Sequence, residues 1–320
     1  MVLLVTGAMG HVGYEVAKLA AAAGEPVVAQ YRSRFRAADA EAVGGDVTWV
    51  PCELSDHDAV AKMTADHGID ECIHLAAVSN ETYARPEPLA AIQSNLVAVA
   101  NLLDLARRRE WRRFVFVSTG SVFQGMSDVT SPILEDAPTS VVSIYGTTKF
   151  CGELLTRMYR SQFGVSAATV RISWVYGPPV VSEDPTRGPI PGFLRKAIQG
   201  TPVRDPGGAD FAASFTYVGD VASGLLVTCK APELNFDVYH LGPGINFTIR
   251  QVADAIRTHV PGAVIELGPG TEPWTTYTVL RGPLAGDRLR RDTGFTVSPS
   301  LDAGIAAYAA WMRAQPEYCR

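Results

Sequence analysis

The amino-acid sequence predicts an α/β protein with a doubly wound parallel sheet and a smaller α/β lobe at its C-terminal end. Three features carry this. Short apolar runs alternate with longer stretches of helical spacing through the first half, and a glycine-rich turn joins the first run to the first helix. Pro and Gly then crowd the chain after Tyr176-Gly177-Pro178-Pro179. Runs that are β-branched and apolar on both faces read as buried parallel strands, and repeated strand–helix–strand order puts helices on both faces of one sheet.

Taken in order, residues 2–5, 27–29, 47–50, 71–75, 114–117 and 168–170 read as strands, and 11–23, 56–66, 88–109 and 143–163 as the helices between them. One helical stretch is expected at 193–199 in the Pro/Gly-rich region. Residues 214–218 read as a strand returning to the sheet, followed by a helix over 220–229 that Asp220 caps. Thr248-Ile249-Arg250-Gln251 has the spacing of a capping box at a helix start. Residues 284–292 and 301–313 carry apolar residues at helical spacing. The sheet domain is therefore 1–177 with a returning segment at about 214–241, and 178–213 with 242–320 form a lobe over the sheet's carboxyl edge.

Composition narrows the function. At 320 residues, 47% hydrophobic and 19% charged, the chain suits a soluble globule of one large domain, or one large and one small. Its 33 acidic residues outnumber 28 basic ones for a net charge of −5, which argues against nucleic-acid binding through bulk charge. No basic block suggests a membrane surface, and no apolar run approaches the length of a bilayer span. Val2-Leu3-Leu4-Val5, with no basic segment before it, does not read as a signal peptide. Cys52, Cys72, Cys151, Cys229 and Cys319 are widely spaced, without a Cys-x-x-Cys or a Cys/His cluster. Neither a disulfide framework nor a metal site is expected, and a cytoplasmic location is.

Three stretches carry chemistry. Thr6-Gly7-Ala8-Met9-Gly10-His11-Val12-Gly13 follows the first strand and opens the first helix. Glycines there let the backbone turn tightly and let a pyrophosphate reach N–H groups at the positive end of the helix, so these residues are candidate dinucleotide contacts. A plain tight turn is the competing reading. The end of the second strand, Ala29-Gln30-Tyr31-Arg32-Ser33-Arg34-Phe35-Arg36, has no acid before Asp39 to hold an adenosine 2′-hydroxyl. Arg32 or Arg34 could fork onto a 2′-phosphate, which favours NADP over NAD, with Tyr31 and Arg32 as contacts. A solvated helix face would explain the same arginines.

The second stretch, Tyr145-Gly146-Thr147-Thr148-Lys149, places Tyr and Lys on one face of a helix. An ammonium beside a phenol lowers a pKa that is about 10 in water, and such a phenol can exchange a proton with a substrate hydroxyl. The third, Phe116-Val117-Ser118-Thr119-Gly120-Ser121, ends a strand, so its hydroxyls sit at the sheet edge where ligands of such folds bind.

Together these stretches make the chain resemble an extended short-chain dehydrogenase/reductase of the NAD-dependent epimerase/dehydratase family, a Rossmann-type fold. The resemblance is strong over 1–178 and covers nearly the whole length. It implies catalytic roles for Thr119, Tyr145 and Lys149, with Lys149 lowering the Tyr145 pKa and holding the cofactor ribose. It also implies that Glu53 and Leu54 meet adenine, and that Leu75, Ala76 and Ala77 flank the cofactor after His74. Asn95 stands at the helix position near the catalytic Lys, while Val117 joins Ile172, Trp174 and Val175 of the Val170–Pro178 stretch around nicotinamide. The substrate would meet Ser79, Thr119, Gly120, Ser121, Tyr145 and Trp174.

Departures from the family pattern shape the functional expectation. The family often has Asn where this chain has Trp174. Nucleotide-sugar members place an Arg just before the returning strand, whereas Phe211–Asp220 here contains none and only Arg281 offers a partial substitute. Gly120-Ser121 stands where dehydratases carry Asp-Glu, which argues against loss of water. The expected reaction is hydride transfer between nicotinamide and a secondary alcohol or ketone of a free sugar, sugar acid or polyol. The alternatives are a sugar epimerase that retains NAD and, in a different class, a non-catalytic dinucleotide sensor. A homodimer through the two long helices is implied by the resemblance. The remaining polar residues have bland readings. His11 faces solvent, His57, His67 and His259 lie on the surface, and His74 is a satisfied strand-end histidine. Trp174 and Trp274 line the pocket or pack the lobe, and Arg187 and Arg195 are surface residues able to hold a carboxylate.

Overall fold

A computed structural model describes residues 1–179 and 188–316. Val2–Thr6 (β1) lies inside a seven-stranded parallel sheet with Val27–Tyr31 (β2), Val47–Pro51 (β3), Ile69–His74 (β4), Arg113–Thr119 (β5), Ala167–Ile172 (β6) and Val238–Leu241. The order is Val238–Leu241, β6, β5, β4, β1, β2, β3. Between β3 and β4 the chain crosses back over β1, so the carboxyl ends of β1 and β4 are neighbours from which the connections run apart. A crevice opens there, as it does in sheets of this winding.

Alternation along each strand divides the core between two faces. Leu3 and Val5 of β1, with Val115 and Val117 of β5, pack under the helix His11–Ala22 (α1) and the helix Val218–Lys230. Leu4, Phe114 and Phe116 point the other way, onto Val99, Leu102 and Leu103 of the helix Ala98–Arg108. Each of these side chains is fully buried, stabilising the fold by roughly 1.5–3 kcal/mol apiece. A separate cluster holds the lobe, where the helices Pro189–Ile198, Ile249–His259 and Asp302–Ala314 enclose Phe211, Ile256 and Tyr308.

The strand and helix expectations hold with shifts at the ends, and five readings are corrected. Residues 214–218 do not rejoin the main sheet: Thr216–Tyr217 pairs with Val175–Tyr176 in a two-stranded ladder, and the seventh strand is Val238–Leu241 beside β6. His240 disguised that strand, because a polar residue inside Val-Tyr-His-Leu breaks the apolar run although it is fully buried. Asp220 lies in the first turn of Val218–Lys230 rather than at its cap position, which Tyr217 occupies. Burial raises the Asp220 carboxyl pKa against a hydrogen bond from the Ser298 backbone. Leu284 bridges to Ile133 as extended chain, and the helix starts only at Asp287.

The helix expected from 193 begins at Pro189, because a proline needs no N–H partner in a first turn. The helical segment Pro88–Arg108 is long and apolar enough to cross a bilayer, against the expectation of no such run. Its buried face packs on the sheet. The capping box is present: Thr248 Oγ1 accepts from Gln251 N at 3.2 Å, and Gln251 Oε1 from Thr248 N at 2.8 Å. Arg187 and Cys319 lie outside the described residues.

Candidate active site

The cleft is built from β1 outward. Thr6 Oγ1 ends the strand by accepting from the N–H groups of Leu75 and Ala76 at 2.9 and 3.1 Å, which joins the loops after β1 and β4. With both its lone pairs engaged, the hydroxyl donates to His74 Nδ1 at 2.8 Å, so this buried imidazole carries its proton on Nε2. Burial holds the His74 pKa near 3, so the ring is neutral. Only Nδ1 is satisfied: Nε2 is buried without a hydrogen-bond partner among the described residues, so the reading of a satisfied strand-end histidine holds in part.

Gly7 adopts φ +65, and a Cβ there would stand 2.9 Å from Ala76 Cα. At Gly13 a Cβ would come within 2.3 Å of the Gly7 carbonyl oxygen. Only glycine allows the turn at the first position and the close approach of α1 at the second. No side chain caps the first turn of α1, so its N–H groups are left for an anion. These features fit a dinucleotide pyrophosphate.

The cleft encloses about 650 Å³. Its end at the glycine loop is walled by Met9, Gly10, Val12, Tyr31, Arg32, Glu53 and Leu54, with Gly7, His11 and Gly13 beside them. Leu75, Ala76 and Ala77 line its middle, and Val117, Ile172, Trp174 and Val175 approach the opposite end. Ser79, Thr119, Ser121, Tyr145 and Lys149 complete that end. Asp39 is buried against Arg36 and does not reach a ribose, while Arg32 and Arg34 are exposed at the rim.

Three placements differ from the sequence expectation. Asn95 is buried outside the cleft, where its amide accepts from Val78 N at 2.7 Å and donates to Val78 O at 3.1 Å and Thr148 Oγ1 at 3.0 Å. It ties the loop after β4 to the helix that carries Tyr145 and Lys149 and does not line the cleft. Gly120 is also not a wall residue, because the Arg281 guanidinium covers it. His11 is not turned to solvent: its Nε2 lies 2.9 Å from the Gly177 carbonyl and ties the glycine loop to the segment entering the lobe. Trp174, at φ +24, lines the cleft and also packs edge-on against Phe211 and Phe215, so both of its readings hold.

The helix Ile144–Phe163, which carries Tyr145 and Lys149, is set at its start. Ser143 Oγ accepts from Gly146 N at 3.0 Å, and Glu81 Oε2 accepts from Tyr145 N at 2.9 Å. Lys149 Nζ donates to the Val117 carbonyl at 2.7 Å and lies 4.7 Å above the Phe116 ring. Burial lowers its pKa to about 8 against the opposing pull of Glu153. Burial pushes the Tyr145 phenol up to about 12, while a hydrogen bond from Thr119 and the charge of Arg281 pull it down. Arg281 therefore adds a positive charge near the phenol, beside the Lys149 that the sequence suggested. Sequence reading gave Arg281 only as a partial substitute for a diphosphate-binding Arg.

Beneath the site lies a buried ionic network. Glu153 accepts from Arg171 Nε and Nη2 at 2.9 and 2.7 Å and from Ser118 Oγ at 2.6 Å, and Arg171 continues to His240 at 3.3 Å. It links the strand end carrying Thr119 to the helix carrying Tyr145 and Lys149. Among the described residues no group of acids, cysteines and histidines could hold a metal.

Comparison with known proteins agrees with this geometry. The model of the NAD dependent epimerase/dehydratase family matches residues 3–242. UDP-glucuronate 4-epimerase 1 of Arabidopsis thaliana is 24% identical over 97% of this chain and 76% of its own. A dTDP-4-dehydro-6-deoxy-D-allose reductase of a Streptomyces species is 32% identical over 73% of this chain and 74% of its own. The crystal structure of a UDP-glucose 4-epimerase from Thermotoga maritima, with UDP-glucose, superposes with a TM-score of 0.85 at 21% identity, over 99% of this chain and 100% of that one, and so shares the fold. The family's dependence on NAD gives no support to the NADP preference read from Arg32 and Arg34.

Proposed function

The chain belongs to the NAD dependent epimerase/dehydratase family, and from that premise we propose that it epimerises a secondary carbinol of a sugar or nucleotide sugar through a transient ketone. The observation that carries this is the meeting of Tyr145 and Thr119 at one end of a cleft whose other end is the glycine loop. NAD, when bound, supplies the acceptor and donor of hydride. As the phenolate, the form that the Arg281 charge and the Thr119 hydrogen bond favour, Tyr145 Oη takes the carbinol proton as the carbon is oxidised and returns it as the carbon is reduced. Thr119 hydrogen-bonds the reacting oxygen, and Lys149, fixed on the Val117 carbonyl, keeps a positive charge beside the phenol's helix face. Inversion requires the ketone to turn over between the two transfers. The neutral hydroxyls of Ser79, Ser121, Thr275 and Thr278 give it partners in either orientation.

A dehydrogenase or reductase that releases its product is the second reading, favoured by the absence of Arg from Phe211–Asp220 and by likeness to a reductase. Relatives named as nucleotide-sugar epimerases put epimerisation first. Denaturing the purified protein separates the two: near-stoichiometric NAD in the supernatant supports the epimerase, and nucleotide-free protein supports cofactor exchange at each turnover. Tyr145→Phe should cut turnover by about 10²–10⁴ while NAD binding persists; undiminished turnover would remove Tyr145 from the chemistry. We place NAD ahead of NADP, with comparative binding of the two as the check. A homodimer forms in this reading through the two long helices, whose outer faces leave Leu89, Leu154 and Phe163 exposed by 68%, 45% and 54%.

A further inference from the structure

Arg281 brings to the cleft a second positive charge beside that of Lys149. It is 8% exposed, and its side chain makes one hydrogen bond, from Nη2 to Ser173 Oγ at 2.6 Å. The guanidinium lies flat on Gly120, where a Cβ would fall 2.7 Å from Nη2 and 3.0 Å from Cζ. Among the described residues no carboxylate pairs with it. Burial lowers its pKa to about 10, so it stays charged at neutral pH. A buried cation without a counter-ion is costly, and the other buried Arg of this region, Arg171, has Glu153.

We propose that Arg281 receives the carboxylate of the substrate, so that the enzyme selects a sugar acid over the corresponding neutral sugar. The inference rests on Tyr145 as the reacting end of the cleft. Gly120 follows Thr119 directly, so an anion on Arg281 sits beside the reacting carbon, on the sugar itself. A diphosphate would need a second cation. The neighbouring wall of Ser121, Ser173, Thr275 and Thr278 is neutral, and Lys149 is held by the Val117 carbonyl. One planar guanidinium matches one carboxylate in charge and in fork geometry.

The test is titration calorimetry and thermal melting with NAD present, on the wild type, Arg281→Gln and Arg281→Lys. The probes are D-glucuronate against D-glucose, D-galacturonate against D-galactose, and UDP-glucuronate against UDP-glucose. The acid of at least one pair should bind about tenfold more tightly than its neutral partner. Arg281→Gln should erase the difference, and Arg281→Lys should keep part of it. Without sugar, Arg281→Gln should melt no lower than the wild type, because it removes an uncompensated charge. Equal binding within every pair, or equal weakening of UDP-glucose and UDP-glucuronate by Arg281→Gln, would overturn the proposal. So would a lowered melting temperature of that variant, which marks a structural arginine. The near-ultraviolet absorbance of reduced nicotinamide keeps the two readings apart. Acid preference with neither reduced nicotinamide nor an epimer formed would sink hydride transfer alone, and equal turnover of acid and neutral sugars would sink the carboxylate site alone.

Discussion

Glu153→Ala would strand a guanidinium inside the protein. The Glu153 and Arg171 side chains are 2% and 3% exposed and are joined by two hydrogen bonds of 2.7 and 2.9 Å. Removing one partner of such a pair costs ~3–5 kcal/mol, mainly because the other charge loses its compensation. Ser118 also loses the acceptor it holds at 2.6 Å, worth about 1 kcal/mol more. Against a total stability on the order of 5–15 kcal/mol, the variant should lose roughly half of its folding free energy. Equilibrium urea unfolding reads the loss as a lower midpoint at unchanged slope. Arg171→Met in the same chain should recover most of it, since an apolar side chain leaves no buried charge to compensate. The double-mutant cycle then gives a coupling of several kcal/mol. A single-variant loss below about 1 kcal/mol, or a coupling near zero, would refute the view that this pair holds the strand end to the catalytic helix. Because Glu153 opposes the depression of the Lys149 pKa, the variant should also show that pKa moving further below about 8.

Two further outcomes follow from burial. Burial holds both His74 and His240 near 3, whereas an unfolded histidine titrates near 6.5. Between those values the unfolded chain binds protons that the folded chain refuses, so stability is full above about 6.5 and falls with pH below it, by at most about 1.4 kcal/mol per pH unit for each histidine. His240→Gln should flatten the slope of unfolding free energy against pH between about 6 and 4.5, and an unchanged slope would mean that His240 is protonated in the folded state. Leu154→Glu, placed in the exposed apolar face of the catalytic helix, should convert a dimer to monomers by light scattering. A wild-type monomer would remove that interface altogether.

The parts of the site that were legible in the sequence are those whose chemistry is local. The glycine loop shows its role within eight residues, and Tyr145 and Lys149 show theirs within one helical turn. Arg281 was legible only as a partial substitute for a missing diphosphate Arg, not as a neighbour of Tyr145. Its partners, Gly120 and Ser173, stand more than a hundred residues away in sequence, and it lies in a stretch without regular structure that no periodicity could orient. His240 and Arg171 were lost for a different reason: each satisfies the other inside the sheet, so polar residues occupy positions that strand reading reserves for apolar ones. Pro189 and Pro191 read as loop residues because their tolerance in a first turn depends on where the helix begins.

The π-helical turn at Gln93–Val97, between the helices Pro88–Ile92 and Ala98–Arg108, resets the phase of a long rod. An α-helix advances about 100° per residue, so one residue too many in a turn rotates everything beyond it by that amount. Ahead of the reset Ala91 faces inward, and past it Val99, Leu102 and Leu103 seat on the sheet. Within the turn Asn95 clips the backbone of Val78 to Thr148. A uniform helix could align either the clip or the seat. Deleting one residue from the turn would leave the rod intact and the loop after β4 out of step with Tyr145, so that the gap across the cleft is gauged by a dislocation in an element that reaches the cleft wall through Ser94.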